Sequence, residues 1–307
     1  MLSRLIIIVQ YVIVICNLYQ LSGLKMTYKY KVGLAVFAGG NHIFYIMGLL
    51  NSLLSKGLTF DVLSTYSAGS AIVGDILNDS LDKPFLYFKK LLKINKKNIY
   101  LENIFNNKEI FPHNRMYTDV IEHILLPQLI QNSDKVVRVI STRINSSFPR
   151  TKAFLSMLSL LAYSKTKKTI GEDLLRIVKR LFKLESVIFT NQDFSSYERS
   201  LNIILGSSTI YPFIKLHSVD GKFYIDGKHG MVSPIDVLSD CEHVLSLHAH
   251  GSWPTLRPNL VQHFPPQKVK VSPLDYTDAK GIEIAYQRGI SDGHSLALNL
   301  EGSIFLQ

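Results

Sequence analysis

The sequence predicts an α/β protein with a mostly parallel central sheet flanked by helices. Three observations carry that expectation. Apolar runs of strand length alternate with helical patterns across short turns, the mark of βαβ units with right-handed crossovers. The 307 residues are 47% hydrophobic and 19% charged, ample for a large core. Aromatics at 10% and the lack of a repeat exclude disordered, collagen-like and coiled-coil classes.

Residues 31–38 (KVGLAVFA) form a buried-strand run that ends in Gly39-Gly40. Residues 44–54 follow as a helix with Met47, Leu50 and Leu54 on one face. Residues 60–65 (FDVLST) read as a second strand, with a turn at 66–69 and a helix over 70–77. Residues 136–142 (VVRVIST) and 187–190 supply further strands, as do 203–205, 223–225 and 243–248. No low-complexity linker divides the chain, so residues 26–307 are expected to form one domain. Helical insertions are expected at about 83–130 and 148–184. Ahead of the domain, residues 1–25 contain the apolar run LIIIVQYVIVIC, too short for the ~20 residues of a spanning helix. The run fits a membrane anchor, an uncleaved signal or a non-native extension with Met26 as the start. Membrane association at this end, with the rest cytoplasmic or secreted, is the localisation it suggests.

The net charge of +10 is local. Residues 83–97 carry six lysines and no acid, and residues 150–183 carry +7, so the remainder is slightly acidic. Both stretches interleave basic with apolar residues. Leu174, Leu175, Val178, Leu181 and Phe182 recur at helical spacing among Arg176, Lys179, Arg180 and Lys183. Such a helix can lie on an anionic membrane, or be an ordinary surface helix with solvated lysines. No nucleic-acid recognition motif accompanies the charge, so no nucleic-acid partner is expected. Cys16 and Cys241 cannot form a disulfide framework, and no metal-ligand spacing occurs.

Two turns carry chemistry. Thr65-Tyr66-Ser67-Ala68-Gly69 places a serine between a buried strand and a helix, the setting of a nucleophile elbow; a helix N-cap serine would look the same. Ala38-Gly39-Gly40-Asn41-His42 ends the first strand, where successive backbone N–H groups can aim at one point, as an oxyanion hole requires. A plain tight turn would also fit. Neither a P-loop nor a dinucleotide fingerprint is present.

With both turns in view, the chain resembles the patatin-like phospholipases, a family of lipid acyl hydrolases. Ala38-Gly39-Gly40 matches their glycine-rich oxyanion loop, and Gly48-Leu49-Leu50 the following Gly-x-Leu. Residues 205–213 (LGSSTIYPF) resemble their Ala-Ser-x-x-x-Pro-x-Phe segment. Tyr224-Ile225-Asp226-Gly227 resembles their Asp-Gly-Gly motif, Ser233-Pro234 their Asn-x-Pro, and residues 282–289 their closing helix. The resemblance implies a patatin-like three-layer sandwich and a Ser–Asp dyad. In it Ser67 is the nucleophile, Asp226 the base, and Gly39, Gly40 and Asn41 the oxyanion donors. It implies phospholipid or other lipid-ester substrates and no cofactor or metal. His229 lies close to Asp226 in sequence and is a further candidate. Ala38, His42, Ile43, Thr65 and Lys228 depart from the family pattern. Those departures motivate an alternative, a catalytically silent protein of this fold that binds lipid or an anionic membrane surface. Oligomeric state is not legible.

Overall fold

The computed structural model describes residues 28–104, 108–165, 168–250 and 257–306. The apolar N-terminal run, with the anchor or signal it suggests, lies outside them. Strands β1 (Tyr30–Phe37), β2 (Val62–Tyr66), β3 (Val136–Ile144), β7 (Cys241–His248) and β8 (Leu260–His263) run parallel in neighbouring pairs. β4 (Leu184–Thr190) and β6 (Lys222–Asp226) pair antiparallel with β3, and β5 (His217–Val219) forms a hairpin with β6. β2 is buried throughout and β1 from Val32 onward, which is why they read as continuous apolar runs rather than alternating ones.

One face of the sheet is covered by helix α1 (Ile43–Ser55) and by the last helix, Ala279–Leu300. These two approach backbone to backbone. A Cβ on Gly48 would lie 2.0 Å from the Tyr286 carbonyl oxygen, and one on Gly289 would lie 2.0 Å from that of Tyr45. Glycine is therefore obligatory at both crossings. The opposite face packs Ala35, Phe37, Val62, Tyr66, Ile140, Cys241 and Val244 against Ile235 and Leu238. The three layers are those expected from the sequence.

The basic stretches are helical. Asp82–Ile94 buries Phe85, Phe88 and Leu92, with Phe85 stacked on Tyr286 at 3.9 Å. Pro149–Lys165 and Lys168–Phe182 form two successive helices. The strand expected at 203–205 is instead the buried side of a helix, Tyr197–Ser207. Ser196 caps it by accepting from the Arg199 N–H, and Ser200, Ile203, Ile204 and Ser207 are buried along it. A three-residue apolar run cannot tell a strand from the inner stripe of a helix; the capping serine could have. Among the described residues no helix is long and apolar enough to cross a membrane.

Candidate active site

Pairing around β3 fixes the centre of the site. Residues 138–140 of β3 pair with β2 and β4 at once, and residues 141–144 pair with β4 and β6 at once. A strand has two edges, so β2 and β6 must share one of them. β2 ends with Tyr66 opposite Ile140, and β6 arrives from the other direction and ends with Asp226 opposite Ser141. The two strands therefore meet tip to tip, and Ser67 and Asp226 are the residues at their tips. There the Ser67 side chain acts on the Asp226 carboxyl, lowering its pKa.

The junction leaves no room for another side chain. A Cβ on Gly227 would lie 2.5 Å from the Ile140 carbonyl oxygen and 2.8 Å from Tyr66 Cβ, so only glycine lets the chain leave after Asp226. Ser67 sits at φ 54°, ψ −137°, a strained conformation for a residue with a side chain. Its surroundings hold it there. The Ser67 N–H donates to the carbonyl and hydroxyl oxygens of Ser207, both at 3.2 Å, and the Ser70 hydroxyl donates to the Ser67 carbonyl at 2.6 Å. Ser207 is itself anchored through its hydroxyl to Ile140 O at 2.8 Å, and the Asp226 N–H donates to Thr209 O at 3.1 Å. One block, 207–209, thus positions both tips. The block is recognisable in the sequence but its task is not, because the contacts join residues 140 apart in the chain.

Gly69 stands where a Cβ would lie 2.0 Å from Thr65 Oγ1. Thr65 is fully buried, and its hydroxyl reaches Val36 O at 3.3 Å. The β-branched residue under the elbow is accommodated because Gly69 has no side chain.

Burial pushes the Asp226 carboxyl above its ordinary value, while the Ser67 hydroxyl, the Lys228 N–H (2.9 Å to Oδ1) and the Lys228 charge pull it back down. Lys228 is itself lowered by burial and raised by Asp226. His229 is buried and held neutral, its value pushed down to about 4 by burial and by Lys228. Its Nδ1 has no partner among the described residues, and no hydrogen bond joins it to Ser67 or Asp226.

The glycine loop is next to the elbow, since Val36 of β1 stands opposite Thr65. Gly40 adopts φ 52° with its α-carbon against Pro273, where a Cβ would lie 2.1 Å from the carbonyl oxygen. Gly39 and Gly40 N–H groups donate to no acceptor among the described residues. Asn41 differs from expectation. Its N–H donates to Pro273 O at 3.0 Å, and its side chain to Ser272 O and Asp275 O at 3.2 and 2.7 Å. Asn41 is committed to pinning the loop onto residues 272–275, more than 230 positions away, so it offers no third N–H.

Beside Ser67 a narrow apolar cavity of about 40 Å³ runs between Gly40, Met47, Ala68, Ala71, Phe88 and Tyr117. Tyr117 hydrogen-bonds Ser208 at 2.8 Å, and Ser208 lies 3.5 Å from Ser70, so a chain of hydroxyls leads from the cavity wall to the elbow. Among the described residues no group of three or more histidine, cysteine, aspartate or glutamate side chains is placed to hold a metal ion.

The family model for patatin-like phospholipases matches residues 34–239, a span that includes Gly39, Ser67 and Asp226. No curated protein sequence matches the chain. Among solved structures, that of VipD from Legionella pneumophila is similar at 10% identity and a TM-score of 0.37, covering 88% of this chain and 67% of that one. With the family match spanning most of the chain, the protein belongs to the patatin-like phospholipase family.

Proposed function

We propose that the protein is a serine-dependent lipid acyl hydrolase of the phospholipase A type, working through Ser67 and Asp226. The observation that carries this reading is the strained serine at one strand tip meeting the buried carboxylate at the other. Ser67 Oγ attacks the ester carbonyl as Asp226 takes its proton. The N–H groups of Gly39 and Gly40 receive the tetrahedral oxyanion. Collapse expels the alcohol, which takes the proton back from Asp226. Water, activated by the same carboxylate, then attacks the acyl-enzyme and frees the fatty acid. Family membership supports the lipid hydrolase class. The apolar cavity supports an acyl chain on the α1 side of the serine, entering as Met47 and Phe88 move aside.

Docking on an anionic membrane is part of the same proposal. On Asp82–Ile94 and just beyond it, Leu86, Ile94, Ile99 and Leu101 are exposed among Lys83, Lys90, Lys93 and Lys97. On the second basic region, Phe148, Ile177 and Leu181 are exposed beside Arg150, Arg176, Arg180 and Lys183. Apolar side chains that can enter the interface, ringed by cations, are what such a surface recognises. Two of the basic residues have structural duties instead: Lys89 pairs with Glu283 at 2.5 Å, and Lys179 donates to Gly230 O at 2.6 Å.

The test is fatty-acid release from phosphatidylglycerol liposomes by wild type and Ser67→Ala in calcium-free buffer. Wild type should release fatty acid and the variant should not. Equal rates would overturn the assignment, and a wild type that binds the liposomes without cleaving them would establish the silent lipid-binding alternative.

A further inference from the structure

The strained backbone of Ser67 is held from both sides, and the two restraints are anchored in different parts of the fold. On the N–H side the contacts end in the sheet, through Ser207 to the Ile140 carbonyl of β3. On the carbonyl side Ser70 donates twice, its N–H at 2.9 Å and its hydroxyl at 2.6 Å. A hydroxyl has one hydrogen, so Ser70 Oγ can only accept at its 3.5 Å contact with Ser208, and Ser208 is the donor there. Ser208 has then committed its own hydrogen, so in its 2.8 Å bond to Tyr117 the phenol donates. The hydrogen bonds run in one direction, from Tyr117 through Ser208 and Ser70 to the Ser67 carbonyl.

Tyr117 belongs to helix His113–Ile124, which is fixed at its start. The His113 ring donates from Nε2 to Leu274 O at 2.7 Å and lies 4.3 Å from the Tyr276 ring. Residues 272–275 also accept the Asn41 hydrogen bonds and pack against Gly40, so one segment places both this helix and the glycine loop. Tyr117 is buried and lines the apolar cavity beside Val120, Ile121 and Ile124 of its own helix. A phenylalanine would fill that wall with no polar group to satisfy. What the hydroxyl adds is the bond to Ser208. Burial raises the phenol above its ordinary value; Ser208 opposes this and the Asp226 charge adds to it, so the phenol keeps its hydrogen.

We propose that Tyr117 is a positioning residue for acyl transfer at Ser67, fixing the direction of the Ser67 carbonyl through Ser208 and Ser70. That direction is the ψ torsion, which stands at −137° in a residue whose φ is 54°, so the chain acts on the strained torsion itself. With the carbonyl held, the Ser67 hydroxyl stays turned to Asp226 and to the incoming ester. Tyr117 touches neither reacting group and works only through the two serines. The proposal rests on the acyl-hydrolase reading and links its two parts: the side chain in the wall of the acyl cavity is also the one that keeps the nucleophile in line.

The test measures steady-state kcat and KM for p-nitrophenyl butyrate in Tyr117→Phe, Ser208→Ala and the double variant, with folding followed by circular dichroism melting. Each single variant should lower kcat about tenfold, as loss of one buried hydrogen bond in the transition state does, with KM within about twofold of wild type. The double variant should be no slower than either single one, since both cut the same chain. A merely structural tyrosine would lower the melting temperature and leave the kcat of folded protein intact. Tyr87→Phe is the control: its phenol donates to Asp119 of the same helix at 3.2 Å but stands outside the chain, and it should keep the wild-type kcat. Wild-type kcat in folded Tyr117→Phe, a change confined to KM, or losses that multiply in the double variant would overturn the proposal. Should Tyr117→Phe fail to fold, an unchanged kcat in Ser208→Ala overturns it equally. A wild-type protein that cleaves no ester defeats the hydrolase reading itself, whereas active enzyme indifferent to both substitutions defeats the positioning role alone.

Discussion

The tip-to-tip meeting of β2 and β6 makes Gly227 the residue on which the geometry of the dyad depends. In Gly227→Ala the new Cβ would start 2.5 Å from Ile140 O and 2.8 Å from Tyr66 Cβ, both fixed parts of the sheet. Ordinary contact requires the chain to retreat by about 0.5–1 Å, and the residue carried with it is Asp226. The approach of the Asp226 carboxyl to the Ser67 hydroxyl is what gives way. A misplacement of about 1 Å costs on the order of 10²-fold in rate. Overpacking should cost about 1–3 kcal/mol of stability, so the fold survives. Hydrolysis of soluble p-nitrophenyl butyrate, followed beside thermal melting by circular dichroism, reads both effects. Gly39→Ala is the matching stability control, since a Cβ there meets nothing within 4 Å. A folded Gly227→Ala protein within about threefold of the wild-type rate would refute the idea that this junction sets the dyad.

Three further expectations follow from particular residues. Asp75 is buried with Oδ2 unpartnered among the described residues, and burial raises its carboxyl to about 7. Its folded value exceeds its unfolded one, so its contribution is complete below pH 3.8 and is lost as the pH rises through about 7. The loss is on the order of 4 kcal/mol, so thermal stability should fall from pH 5 to pH 8 in wild type and much less in Asp75→Asn; parallel profiles would contradict it. Ala71→Phe fills the cavity beside Ser67 and should lower kcat/KM for decanoyl esters about tenfold relative to acetyl esters, as loss of apolar burial predicts; an unchanged chain-length profile would place the acyl chain elsewhere. Ile177→Glu with Leu181→Glu puts carboxylates where 61% and 69% exposed apolar side chains stand. Sedimentation with phosphatidylglycerol vesicles should weaken at least tenfold, by analogy with the depth cost of charge at an interface, while soluble-ester hydrolysis persists; vesicle binding as strong as wild type would remove this surface from the account.

What the sequence made legible was local. β1 and β2 are continuous apolar runs closed by small residues, so the strands, the elbow at Ser67 and the loop at Gly39 could be read without a partner. Asp226 was legible only through resemblance, because an Asp-Gly pair alone is an ordinary turn. The reasons behind the glycines were not legible. Gly48, Gly227 and Gly289 are required by atoms from distant parts of the chain, and Gly69 by the oxygen of a threonine that looked like a defect. Only the resemblance points to Asn41 as an oxyanion donor, and the acceptor that claims its N–H, Pro273, lies in a distant part of the chain. Residues 203–205 lie on a helix that the sequence alone does not reveal, because a short apolar run carries no period.

The reaction of the intact protein with a fluorophosphonate probe, in buffer containing a chelator and with the modified peptide identified by mass spectrometry, tests the central claim most directly. A single adduct on Ser67 is expected, forming at least ~10²-fold more slowly in Asp226→Asn, as removal of an activating base should make it. An unlabelled Ser67 in folded wild-type protein, or labelling that proceeds unchanged without the Asp226 carboxylate, would contradict it.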